Sequence, residues 1–296
     1  MNEMNNDELC PCCAKPYAAA DQELVLHEGV SIETNLQSSQ YDGVIFILYP
    51  KELCVEPPPV IANFISTIEA LDDKLYKATT LWHCKDVCGS RLIISATGRI
   101  TPYDDAKVIR EAAINGMIRA LEAGVKRPLF VVQNVPDFPE GQLVAILGAL
   151  EALYVPIQAY ERSGKLYIDK FGLHEDDTIT EHFHNTVKTA LALEKARIVT
   201  RDIAGGDPER MCPANIVTYL NENFANDTCV SIRVVDDVKK INQDYPLLSA
   251  VSRATNNIEK HKARIVELEY TPTEKNKVSD TIFLVGKGVC YDTGGG

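Results

Sequence analysis

Two side chains near the end of the sequence have the type and spacing to do chemistry: Lys287 and Asp292, five residues apart in VGKGVCYDTGGG, residues 285–296. Gly286 and Gly288 bracket the lysine, and glycine lets backbone come close to a ligand. A lysine amine binds a metal only when neutral, a state favoured by burial and by a neighbouring cation, both of which lower its pKa. Asp292 offers a carboxylate able to bridge two divalent cations. A two-metal site with ions about 3.5–4 Å apart needs several carboxylates to balance its charge, and these two residues alone do not meet that need. Two other readings stay open. One is an anion-binding glycine loop, although the P-loop spacing G-x-x-x-x-G-K-[ST] is missing. The other is a surface turn with an incidental lysine.

Other sets of donor atoms compete with this one. Cys10, Cys12 and Cys13 in CPCC, with His83, Cys84 and Cys88 in HCKDVC, carry zinc-binding atoms. Their spacings do not make a standard zinc ligand set, and a thiol cluster in a weakly structured lead is the plainer reading. His182 and His184 lie two apart in EHFHN, beside Asp176, Asp177 and Glu181. On a strand both rings would face one side; in a charged linker they are a solvated pair, which is the expectation here. Cys290, between the two candidate ligands, reads as packing. The acidic residues of the first half show no pair to assign to catalysis.

These groups need a scaffold, and hydrophobic periodicity gives one. Residues 41–50, YDGVIFILYP, form a continuous apolar run closed by proline, the pattern of a strand covered on both faces. Residues 57–73 open with three prolines and continue as a helix with Ile61, Ile65 and Leu71 on one face. SRLIISATG, residues 90–98, is a second strand. Residues 101–124 make the clearest helix: Pro102, Asp104 and Asp105 suit its first turn, and Gly124 its left-handed stop. Ile109, Ala113, Met117 and Leu121 form its buried stripe, widened by Ile114 and Ile118. PLFVVQ, residues 128–133, is a strand, and residues 140–154 are a helix. Alternation of strand and helix predicts an α/β domain with a mainly parallel sheet. Residues 1–40 read as a weakly structured lead. After a polar stretch at 174–185, a long helix runs to Gly205 and Gly206, and another starts near Pro213. Residues 229–236, 263–272 and 280–288 read as strands of a second sheet.

The composition fits this picture. The 296 residues are 45% hydrophobic and 24% charged, with net charge −12 and a pI near 5.0. That balance and the lack of a basic, aromatic-interleaved patch exclude nucleic acid as the main partner. The opening MNEMNNDEL has neither the basic nor the apolar region of a secretory signal. The longest apolar stretch, residues 143–157, is too short for a membrane span and contains Glu151. Nine cysteines without a repeating framework read as reduced thiols in a cytoplasmic protein.

The terminal motif resembles the metal-site segment of the leucyl aminopeptidase family, V-G-K-G-x-x-[FY]-D-[ST]-G-G, whose lysine and aspartate are metal ligands and fall on Lys287 and Asp292. The upstream order is similar: a variable α/β domain, a connecting helix, a Pro-Ala-Asn helix start (Pro213, Ala214, Asn215), a strand IVELEY ahead of the lysine segment, and LLSAVSRATNN, with Ser252 where the family has glycine. The similarity covers about residues 190–296. The family's second lysine, its second aspartate and its N-T-D-A-E-G-R segment, which carry further ligands and the catalytic arginine, are not in this sequence.

The resemblance implies a divergent metalloaminopeptidase that releases N-terminal amino acids from peptides through a water activated by two divalent metals, zinc or manganese. It also implies a homo-oligomer, commonly a hexamer in the family. The expected organisation is an N-terminal α/β domain over 1–185, then the opening, incomplete portion of an α/β metallopeptidase domain over 186–296. A non-catalytic relative serving as a binding or assembly module is the alternative. No catalytic residue is assigned from this sequence.

Overall fold

The structure is a computed structural model describing residues 30–175, 180–224, 227–274, 278–286 and 288. It divides into two compact units, one within Asp21–Val199 and one within Thr200–Gly296.

The first unit is organised around β2 (Gly43–Leu48), buried along its whole length. β2 lies parallel between β4 (Arg91–Ala96) and β5 (Pro128–Val131). The six-stranded order is β1 (Val30–Glu33), β6 (Phe171–His174), β5, β2, β4, β3 (Thr79–His83), with only β3 antiparallel to its neighbour. Successive residues of β2 point to opposite faces. Ile45 and Ile47, with Ile93, Phe130 and Leu173, meet α2 (Lys107–Glu122) and α3 (Gly141–Leu153) through Ile109, Met117 and Ile146. Val44, Phe46 and Leu48, with Leu92, Ile94 and Leu129, meet α1 (Pro59–Ile68) through Ile61, Ile65 and Ile68. Helices on both faces are why the strand reads as an unbroken apolar run, and each large side chain so buried contributes about 1.5–3 kcal/mol.

The helices depart from expectation at their ends. α1 stops at Ile68, which takes the third buried position, and Leu71 beyond it is 75% exposed. α2 starts at Lys107, not in the Pro102–Asp105 region, because Asp104 closes a separate turn. Its Oδ2 accepts from Thr101 N at 2.7 Å and Thr101 Oγ at 2.6 Å. Side chains that bond nearby backbone compete with helix in this way. Gly124, at φ 74°, ends α2 as expected. The stripe of α2 runs through Ile109, Ala113 and Met117, but its widening comes from Ala112, Gly116 and Ala120; Ile118 is 43% exposed. Small residues on that side permit close crossing: a Cβ at Gly148 of α3 would lie 2.7 Å from the Arg110 carbonyl oxygen of α2.

Three strands have little local signal. β1 falls in the stretch expected to be weakly structured, but it pairs with β6 from Val30–Phe171 to Glu33–His174. Residues 1–29 lie outside the described residues. β1, β3 and β6 have four or five residues each, and it is pairing that selects them. α4 (Ile157–Ser163) is also short, between Pro156 and Gly164. At the amino ends of the strands, Asp42 makes a bracket. Its carboxylate accepts from Arg127 N at 2.8 Å and from Lys126 N at 3.2 Å. Its carbonyl accepts from Arg91 Nε at 2.8 Å.

α5 (Glu181–Gly205) crosses the unit boundary. Thr180 caps it, its Oγ accepting from Phe183 N at 3.1 Å. In the second unit follow α6 (Pro213–Phe224), β7 (Val230–Val235), α7 (Val238–Asp244), α8 (Pro246–Ser252) and β8 (Ile265–Tyr270). β7 and β8 pair antiparallel, with Arg233 opposite Glu267. Arg233 donates from Nε at 2.5 Å and from Nη2 at 2.6 Å to that carboxylate. The strand expected at 280–288 is not formed among the described residues 278–286 and 288. Ile282, Phe283, Leu284 and Val285 are 83%, 85%, 93% and 97% exposed. An apolar run becomes a strand only when a neighbour supplies the ladder, and among the described residues β8 is paired to β7 alone.

Candidate metal centre

Lys287 and Asp292, the two candidate ligands, lie outside the described residues, as does Cys290. The flanking Gly286 and Gly288 stand in open space: a Cβ on either would meet nothing within 4 Å. The close backbone approach that glycine permits is therefore not used by other described parts of the chain. An amine and one carboxylate cannot balance two dications. Among the described residues no group of three or more His, Cys, Asp or Glu side chains is placed to hold a metal ion. The donors among the described residues do not make a two-metal centre.

The rival donor sets are taken apart by the fold. Cys84 and Cys88 are 2% and 4% exposed and pack in the core under α1, while His83 is exposed. Burial pushes the Cys88 thiol up to about 11, away from the thiolate that a metal needs. Cys10, Cys12 and Cys13 lie outside the described residues, as do Asp176 and Asp177. His182 and His184 sit in the first turn of α5, neither on a strand nor in a linker, and both are exposed. Two residues apart on a helix is roughly 200° of rotation, so the rings diverge. The solvated pair is what the structure contains.

The Pro-Ala-Asn sequence does begin a helix. α6 starts at Pro213, which is buried, and Asn215 Nδ2 donates to the Arg210 carbonyl at 3.0 Å. Behind it is a buried polar string that sequence reading did not single out. Tyr219 Oη donates to Asp202 Oδ2 at 2.8 Å, and Asn223 Nδ2 donates to the Tyr219 carbonyl at 2.7 Å. Asp202 is 1% exposed. The available signal was the i, i+4 spacing of Tyr219 and Asn223 on one face of an otherwise amphipathic helix. Ser252, at the position where the family has glycine, is buried at the end of α8.

The architecture is that of a two-unit α/β protein whose first unit is a mainly parallel sheet covered on both faces. A tomato leucine aminopeptidase variant has a similar fold: the TM-score is 0.62 over 83% of this chain and 51% of that one, at 10% identity. The catalytic domain of the cytosol aminopeptidase family matches residues 198–296. A Caenorhabditis elegans protein, by its name a candidate aminopeptidase, is 34% identical over 272 residues, 88% of this chain and 51% of the worm protein. Peptidase B of Vibrio parahaemolyticus is 28% identical over 149 residues, 49% of this chain and 32% of that protein. Over residues 198–296 this chain is similar to the leucyl, or cytosol, aminopeptidase family, and it spans about half the length of the worm protein and less of the bacterial one.

Proposed function

We propose that this chain belongs to a metal-dependent aminopeptidase that removes N-terminal residues from peptides. One observation supports the reading: the catalytic-domain match over 198–296 spans VGKGVCYDTGG, the stretch whose resemblance to the family's metal-site segment would make Lys287 and Asp292 ligands. Two divalent ions, zinc or manganese, would supply an activated water and polarise the scissile carbonyl. Lys287 and Asp292 would hold part of that pair, and sequence outside residues 1–296 would supply the remaining carboxylates. On this reading residues 1–185 are an N-terminal domain, 186–296 open the catalytic domain, and the protein is a cytoplasmic homo-oligomer. Among the described residues no single helix is long and apolar enough to cross a membrane, although α3 and α4 together, bent by 49°, reach the length and composition.

The test is metal content and peptidase activity of the natural full-length protein against its Asp292→Ala variant. Loss of one metal equivalent, together with loss of activity, is expected. Unchanged metal content and activity would refute the assignment of Asp292. A wild-type protein that binds no divalent metal would support the binding-module alternative.

A further inference from the structure

The core-facing stripe of α5 runs through Phe183, Val187, Ala190, position 194 and Ile198, the i, i+3, i+4 spacing of one helix face. At position 194 the stripe carries a glutamate instead of an apolar residue, and that side chain is 1% exposed. Leu193 beside it is 43% exposed, so between Ala190 and Ile198 the stripe is interrupted by a charge. A chain of ions lies there instead. Arg197 Nη1 donates to Glu194 Oε2 at 3.0 Å and to the Leu147 carbonyl at 3.4 Å, and Arg197 Nη2 pairs with Glu151 Oε2. Glu151, on α3, also takes the fork of Arg110 from α2: Nε donates to Oε2 at 3.0 Å, and Nη2 pairs with Oε1. One carboxylate thus ties together three helices.

Only Glu194 among these ions is fully buried, while Arg110, Glu151 and Arg197 remain part-exposed. Part-exposed pairs add little net stability, and the better-attested use of buried charge is to fix one arrangement among several. The forked Arg110–Glu151 pair demands two aligned hydrogen bonds, and Arg197 spans two carboxylates, one from each terminal nitrogen, which adds the geometry for this. We infer that the Glu194–Arg197–Glu151–Arg110 chain sets the docking position of α5 on α2 and α3, with Glu151 as the joint. Glu151 is a positioning residue, acting through the two arginines.

Hydrogen exchange of the full chain, wild type against Glu151→Gln, tests this. Amides of residues 191–198 should exchange roughly tenfold faster in the variant, equivalent to about 1.4 kcal/mol of easier local opening. Those of β2, β4 and β5 should be accelerated less, by no more than the loss of global stability. Unaltered exchange at 191–198 would overturn the inference. So would acceleration shared equally with the sheet, which would make the chain a general stabiliser. If Glu151→Gln does not fold, Arg197→Lys keeps the charge, removes the two-nitrogen span between Glu194 and Glu151 and is read by the same two criteria.

Discussion

Replacing Gly89 by alanine should damage the first unit far more than its place in a surface turn suggests. Gly89 sits at φ 60°, ψ 7° beside Cys88, a left-handed conformation that costs a residue with a Cβ about 1–2 kcal/mol. Space adds the larger penalty. The new Cβ would lie 2.0 Å from the Asp42 carbonyl oxygen, 2.4 Å from its carbon and 2.8 Å from its Cα, where carbon contacts need roughly 3.5 Å. All three are backbone atoms, so no rotamer change relieves the clash. Asp42 must move, and it is the bracket that receives Arg91 Nε on its carbonyl and Arg127 N on its carboxylate. Loss of two such bonds, one to a charged acceptor, costs about 2–4 kcal/mol. The expected total is about 3–6 kcal/mol, read from urea unfolding monitored by the fluorescence of Trp82. Gly98 and Gly124 are the controls: both have positive φ, at 72° and 74°, but a Cβ on either meets nothing within 4 Å. Their alanine variants should lose only the conformational cost of about 1–2 kcal/mol. Equal losses at Gly89 and Gly98 would refute the argument from the carbonyl contact.

Three other outcomes follow from the packing and the charges. Phe130→Ala empties a fully buried site between β2 and β6 and should destabilise the first unit by about 3–5 kcal/mol in the same unfolding experiment. Tyr219→Phe removes the donor to the buried Asp202 carboxylate and should cost about 1–3 kcal/mol, visible as a lower thermal midpoint. Burial opposes ionisation of Glu151, but the Arg110 and Arg197 guanidiniums outweigh it and hold its carboxyl below the usual range. A lowered folded-state value favours the ionised native form, so this contribution is present above the unfolded value of about 4.3 and is lost as pH falls through the folded one. Wild type should therefore lose its stability advantage over Glu151→Gln in that window, and a constant difference down to pH 3 would contradict the ion-chain geometry.

Much of the first unit was legible because its elements are doubly constrained. β2 is apolar at every position, a pattern that fits a strand covered on both faces, and β4 and β5 on either side complete it. α2 repeats its small and apolar residues over sixteen positions. β1, β3 and β6 were not legible for the opposite reason: four or five residues of mixed polarity become strands only beside partners that lie far off in sequence, as Val30 does beside Phe171. The start of α2 misled because Asp104 is a good first-turn residue and an equally good acceptor for Thr101, and local hydrogen bonding prevailed. At the candidate site, the spacing of Lys287 and Asp292 named the chemistry, while the apolar residues just before them named a strand that the described residues do not form. Burial is decided by what lies opposite, which a local pattern does not contain.

The cysteines give each unit its own clock. Cys84 and Cys88 are shut inside the first unit and Cys212 and Cys229 inside the second, while Cys54 is exposed. A thiol reagent can reach the buried sulfurs only during an opening event, so their labelling rates measure how often each unit opens. Cys54 reports the reagent's unhindered rate in the same tube. Mass spectrometry of the labelled peptides would then resolve two opening equilibria in a single experiment, with no substitution and no fluorophore added.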